Sequence, residues 1–187
     1  MLDTNEIIKQ YKPKLDALNI RVFSHQPWED TILLRWWFTL NETGDINNLI
    51  LPDARRLPDF LRIFSFPVVL FYTLDANNDI SNAAWFVAVD NLSKHRAAYA
   101  ALYCSPTTRG TRSQLHFSDC IYSLAFEICD ALMGITWQQE LLDIHTKMGY
   151  TIIGCIPLIH DEPFTYLVHL TKQNFLNSRM HRIAQRR

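Results

Sequence analysis

The run RAAYAALYC, residues 96–104, limits the fold more than any other stretch. It is a strand-length segment rich in small residues and apolar on both faces, and such strands lie in the interior of a sheet. The runs before it have the same character. FPVVLFYTLD (66–75) and ISNAAWFVAVD (80–90) are β-rich and are joined by ANND, a good hairpin connection. After it comes a polar loop, SPTTRGTRSQ (105–114), and then an amphipathic helix, LHFSDCIYSLAFEICDALMG. That helix carries Leu115, Ile121, Leu124, Ile128 and Leu132 on one stripe, with Gly134 as its stop. ITWQQ (135–139) reads as a short strand and ELLDIHTKMG (140–149) as a helix stopped by Gly149. YTIIGCIPLI and FTYLVHLT are two last strands around the turn HDEP.

The N-terminal third is helical. Asp3 or Thr4 caps a first helix with Glu6, and Pro13 interrupts it. NIRVFS (19–24) has the character of a short strand. PWEDTILLRWWFTL is a helix, NETGDINN a plain loop, and PDARRLPDFLRIF a short helix broken near Pro58 with solvated arginines. The full order predicts an α+β domain built on a mixed, mostly antiparallel sheet flanked by helices, not a doubly wound one. Three segments are expected: a helical region 1–63, a core 64–172 and a basic tail 173–187. With 187 residues, 48% hydrophobic and 20% charged, the chain can bury a single sizeable core.

Several classes of function are excluded or weakened. The longest apolar stretches, FPVVLFY and TILLRWWF, fall far short of the roughly 20 residues of a membrane span. The four cysteines, Cys104, Cys120, Cys129 and Cys155, form no C-x-x-C pair, and no signal pattern opens the chain. A soluble protein of the reducing cytoplasm is expected. His116, Asp119 and Cys120 share a helix face at metal-ligand spacing but lack a second pair, so no metal is expected. Cys104 reads as a buried core thiol. Net charge is −1, but the last sixteen residues carry five basic side chains and no acid, which leaves −6 on the rest. That tail, with Arg179, Arg182, Arg186 and Arg187 beside Leu176, Met180 and Ile183, reads as a partner- or nucleic-acid-docking helix or as a frayed end. Trp28, Trp36 and Trp37 read as core or as a partner surface.

The element order together with ELLDIHTKMGYTIIG resembles the GCN5-related N-acetyltransferase (GNAT) family over residues 64–172. In that family a helix ends in a "lYeklGF" motif before the next strand. Here Ile144, Lys147, Gly149 and Tyr150 take the matching places. The resemblance implies binding of acetyl-CoA at a Q/R-x-x-G-x-G/A loop, which falls on Arg109, Gly110, Thr111, Arg112, Ser113 and Gln114. Arg112 and Gln114 stand where the family has glycines. Two readings stay open: an anion site rebuilt around arginine forks, or a degenerate loop that has lost its cofactor.

The resemblance also places His145 where the family has its general-acid tyrosine. The alternative for His145 is an ordinary, partly buried helix residue. Gln138 falls at the family's asparagine near the cofactor. The central strand has no carboxylate, so Asp90 and Glu162 are the nearest candidates for a base. Three functions follow: an acyl-CoA-dependent N-acyltransferase; a catalytically silent GNAT-fold component of an assembly, of the kind phages encode, virion-associated in that case; or a nucleic-acid-associated protein using its tail. An enzyme needs an open cleft between the fourth and fifth strands and free N–H groups within 111–114.

Overall fold

The computed structural model describes residues 4–50, 52–65, 68–89, 96–157 and 164–186. In chain order the helices are α1 (Thr4–Ala17), α2 (Pro27–Thr43), α3 (Ile46–Leu49), α4 (Leu57–Ile63), α5 (Arg112–Ile128), α6 (Gln139–Lys147), α7 (Lys172–Leu176) and α8 (Arg179–Ala184). The strands are β1 (Arg21–Val22), β2 (Val69–Leu74), β3 (Ile80–Val89), β4 (Ala97–Cys104), β5 (Ala131–Thr136), β6 (Thr151–Pro157) and β7 (Phe164–Thr171). They form one sheet in the order β1-β2-β3-β4-β5-β7-β6, antiparallel at every pairing except β4 with β5. The β2–β3 hairpin and the interior position of β4 are as expected. The class is α+β.

Period-two alternation gives the sheet two buried faces. Phe71, Ala84, Phe86, Ala98 and Leu132 turn to the side covered by α1 and α5. Leu70, Tyr72, Ala83, Trp85 and Tyr103 turn to the other, covered by α2 and α4. At the centre of this second layer Trp36 is fully buried, with the rings of Phe60, Phe64, Trp85 and Tyr103 at 5.4–6.0 Å. Trp37 anchors its indole N–H on Arg55 O at 2.8 Å, while Trp28 is exposed. One buried acid closes this layer. Glu29 accepts bonds from Ser24 N, Ser24 Oγ, Gln26 N and the Tyr72 hydroxyl, so the cost of burying it is offset.

Four expectations need correction, besides the plain loop NETGDINN, whose ends belong to α2 and α3. First, α1 runs through Pro13. The ring removes one donor, but Ile7 and Leu15 on either side are buried, and their packing holds the helix together. Second, α5 ends at Ile128 and not at Gly134. Cys129 turns extended, and Asp130 pins the chain by accepting the Arg96 N–H on its carboxylate and donating its own N–H to Arg96 O. Residues 131–136 then form β5, where Leu132 is buried as a strand residue and Gly134 serves close packing. A Cβ on Gly134 would meet Val168 Cγ2 at 3.1 Å.

Third, Pro58 does not break a helix but stands in the first turn of α4, where its missing N–H costs nothing, and Arg55 is not simply solvated but bonds Ile50 O and Asn47 O. Fourth, the tail packs through a different stripe. Phe175 and Ala184 are buried, Met180 is partly buried, and Leu176 and Ile183 face outward. Asp119 of α5 fixes α8 by accepting from His181 Nδ1 at 2.6 Å and Gln185 Nε2 at 2.9 Å. Arg179, Arg182 and Arg186 are exposed, and Arg187 lies outside the described residues. No helix among the described residues is long and apolar enough to cross a membrane.

Candidate active site

β4 and β5 pair only where Ala97–Tyr99 meet Ala131–Met133, after which they diverge. β4 stays paired with β3 as far as Cys104. Ser105 N donates to Ser81 O at 2.8 Å, so main-chain groups of alternate residues point away from β3. By that alternation Ala98, Ala100 and Leu102 turn their N–H and C=O toward β5; the Tyr99–Met133 pairing puts the Ala100 N–H on Met133 O, and the Ala100 C=O and the Leu102 peptide groups lie past the end of that ladder. The result is a fork with a bare peptide edge on one side, and Gly134 sits at its apex. A Cβ there would lie 3.6 Å from Ala100 O.

The loop after β4 leads to the N-terminus of the 17-residue α5. Thr108 and Arg109 donate their N–H groups to Ser105 O, and the Thr108 hydroxyl reaches Ser81 O at 2.9 Å. Gly110 has φ +74°, with open space where a side chain would stand. Thr111 caps the helix by accepting the Gln114 N–H at 3.3 Å, and Gln114 Oε1 turns back to the Gly110 N–H at 2.6 Å. Gln114 therefore folds onto the loop. The Arg112 and Ser113 N–H groups find no acceptor among the described residues. They are the unpaired positive end of a long helix. The Arg112 guanidinium lies on the surface with Nε 3.1 Å from His116 Nε2. Arg109 faces elsewhere. Its Nε donates to Cys104 O at 3.0 Å and its Nη2 to Asp45 Oδ1 at 2.7 Å, at the end of β4.

On the other side of the fork, Gln138 stands at the N-cap position of α6 without a side-chain cap bond, and its amide donates instead to Asn48 Oδ1. The segment 45–48 thus crosses the mouth, tied by Asp45 to the end of β4 and by Asn48 to the end of β5. His145 Nδ1 donates to Leu141 O at 2.7 Å, and its ring meets the Tyr150 ring edge-on at 5.1 Å. Burial holds its pKa below the usual 6.5. The backbone bond fixes the proton on Nδ1 and leaves Nε2 as an acceptor. Asp45 is 7% exposed, and its second oxygen, Oδ2, is buried without a hydrogen-bond partner. The Tyr103 hydroxyl and the Trp36 indole N–H are buried beside each other, with no other partner. Burial, and then the Asp45 charge, push the Tyr103 pKa up to about 12.

No protein-family model matches the sequence, and no curated protein sequence does either. Solved structures do match its fold. An aminoglycoside N(6')acetyltransferase from Legionella pneumophila subsp. pneumophila str. Philadelphia 1 superposes with a TM-score of 0.64 at 10% identity, covering 85% of this chain and 95% of that one. A spermidine N-acetyltransferase from Vibrio cholerae, in complex with CoA and spermine, gives 0.59 at 13% identity, covering 85% and 99%. A GCN5-related N-acetyltransferase from Kribbella flavida gives 0.57 at 14%, covering 82% and 98%. The chain has the GNAT fold.

Within that GNAT fold the candidate residues fall into separate groups. Gly110, Thr111, Arg112, Ser113 and Gln114 are together at the start of α5. Arg109 and Gln138 are both bound to the strap 45–48. His145 lies along α6, against Tyr150. Asp90 and Glu162 lie outside the described residues. Asp119 of the supposed metal face points to α8, and Cys120 is buried; no metal-holding group of three His, Cys, Asp or Glu occurs among the described residues. Asp45 was missed. In NETGDINN it is one acid in a polar loop, and its partner Arg109 is 64 residues away. The Gly-Asp pair after a helix marks a cap, not a carboxylate bound for the end of β4.

Proposed function

We propose that the protein is an acyl-CoA-dependent N-acyltransferase. The observation that carries this reading is the fork: a β4 edge that leaves its ladder with β5 at the Ala100 C=O and Leu102, leading to a helix N-terminus whose Arg112 and Ser113 N–H groups are free. The donor set suits an acyl-CoA. A pyrophosphate fits free helix-terminal N–H groups and an exposed guanidinium, and amides of an extended arm fit an unpaired strand edge. Gly110, with open space around its Cα, leaves room for such an approach. Arg112 and Ser113 would hold the phosphates, and the Ala100 C=O and Leu102 the arm. The bound cofactor supplies an activated thioester.

The chain's own residues then position the acceptor, exclude water and handle protons. Asp45 and Asn48 tie the segment 45–48 to Arg109 and Gln138, the residues that follow β4 and β5. His145, neutral with a free Nε2, can accept a hydrogen bond or a proton. The Vibrio cholerae neighbour, in complex with CoA and spermine, supports the same reading. The test is release of free thiol from acetyl-CoA in the presence of pooled primary amines. Amine-dependent release, lost in Ser113→Pro, is expected. No release above the amine-free rate with any pool, together with no CoA binding, would overturn it.

A further inference from the structure

α8 lies beside α5 on the side of the fork. A Cβ on Gly149, at the end of α6, would stand 3.2 Å from Ser178 Cβ, and the Phe175 ring packs on Tyr122 and Phe126 of α5 at 5.9 and 5.5 Å. The segment 175–185 therefore runs between α5 and α6, the helices that follow β4 and β5. Its direction is fixed too. Phe175 meets α5 at Tyr122 and Phe126, whereas His181 and Gln185 meet it at Asp119, so the chain advances toward the N-terminus of α5. From Asp119 back to Arg112 is about 10 Å along the helix, with His116 between them and bonded to Arg112. The groups that hold α8 in place leave its cations unused. His181 and Gln185 take both oxygens of the buried Asp119, which also removes the acid that would repel an anion on this side of α5. Arg182 and Arg186, one turn apart, are exposed, and neither they nor Arg112 meet a carboxylate among the described residues.

Resting on the acyltransferase reading, we propose that Arg182 and Arg186 form a second phosphate site, which takes the 3′-phosphate on the ribose of the acyl-CoA. CoA carries a pyrophosphate and, on its ribose, a separate phosphomonoester. The free N–H groups of α5 and Arg112 answer the pyrophosphate. The monoester brings about two further negative charges at neutral pH, and that helix end has no second cation for them. Two guanidiniums one turn apart on α8 supply forked donors that match its oxygens. The distance also fits. The monoester stands one ribose away from the pyrophosphate, and arginine side chains at the level of Asp119 need to close a gap of about two helix turns. Without a ligand, gathering like charges on one side of α5 gains nothing, and a bound dianion relieves their repulsion. The tail thereby acquires a task in the same site as the fork.

The test is calorimetric titration of the full-length protein at pH 7 and low salt with CoA and with dephospho-CoA, which differ only in that phosphate. Wild type is expected to bind CoA about tenfold more tightly or better, as one charge-assisted contact would give. The double variant Arg182→Gln, Arg186→Gln should bind dephospho-CoA as wild type does and keep a preference for CoA of no more than about twofold. Arg112→Ala should weaken both ligands alike, because the pyrophosphate is common to them. Arg179→Gln removes the same charge from the start of α8, farther from the α5 N-terminus, and should keep the full preference. All of these side chains are exposed, and unchanged thermal melting confirms that the variants fold. Equal affinity for CoA and dephospho-CoA in wild type would overturn the proposal. So would a preference that survives the double variant, or one that Arg179→Gln lowers as much, since a general basic field predicts that result. In each of those cases dephospho-CoA still binds, and the acyltransferase reading stands. If neither compound binds, that reading falls and the second phosphate site falls with it.

Discussion

Replacing Gly149 by alanine should be the most damaging single-methyl change in this chain, and the structure gives its size. Gly149 ends α6 with φ +94°, a conformation that costs an L-residue roughly 1–2 kcal/mol. Its N–H bonds Thr146 O at 3.0 Å and the Tyr150 N–H bonds His145 O at 2.9 Å, the paired bonds of a Schellman motif. A Cβ there would lie 2.6 Å from Asn174 O and 3.0 Å from Asn174 C, which are backbone atoms at the end of the sheet-to-tail connection. Moving them adds an overpacking cost of about 1–3 kcal/mol. A total near 3 kcal/mol lowers Tm by about 6–12 °C in a chain of this size. Gly44→Ala is the control, since Gly44 has φ +75° and nothing within 4 Å of the added methyl. It should cost about 1 kcal/mol, less the small gain from stiffening the unfolded chain. Urea and thermal unfolding of both variants isolate the steric part. If Gly149→Ala is no worse than Gly44→Ala, the close approach of α7 to this turn is wrong.

Other outcomes follow from the same packing. Burial pushes the thiols of Cys104 and Cys129 up to about 12 and that of Cys120 up to about 11, whereas Cys155 is exposed. A disulfide reagent at pH 8 should titrate one thiol rapidly in the native protein and four after unfolding; two or more fast thiols would contradict the burial. Those raised values also set an alkaline limit. The unfolded thiols ionise near 9.0 and the folded ones above it, so stability is complete below pH 9 and is lost as pH rises toward about 12. Unfolding free energy flat across that interval would count against it. Asp119→Ala leaves His181 and Gln185 without their acceptor and should cost about 2 kcal/mol, with faster amide exchange in α8. Unchanged exchange would mean that the tail is held by Phe175 and Ala184 alone.

Much of the fold was legible because its signals are local. Alternation and the ANND turn gave the β2–β3 hairpin, the small apolar run gave the interior strand, and Gly149 stopped α6 as its φ requires. The misreadings arose where two physical causes leave the same trace. Leu132 and Gly134 continue a helical stripe and a helix stop equally well, and only the pinning of Asp130 to Arg96 turns them into a strand. The stripe of Leu176, Met180 and Ile183 was only partly the docking face: α8 packs through Met180 and Ala184, with His181 and Gln185 on the buried Asp119, and leaves Leu176 and Ile183 outside. Pro13 carried a true local penalty that packing on both sides overrides. The start of α5 was legible as a place, and the strap was not. Asp45 and Asn48 gain their meaning from Arg109 and Gln138, contacts 64 and 90 residues distant that no spacing encodes.

The central claim is that the fork between β4 and β5 holds an acyl-CoA against the free N–H groups of α5. Calorimetric titration of CoA into the wild-type protein and Arg112→Ala tests it most directly. Micromolar binding is predicted, weakened about tenfold in Arg112→Ala, the loss of one charge-assisted phosphate contact of about 1.4 kcal/mol. No heat of binding at millimolar CoA, or equal affinity in the two proteins, would contradict it.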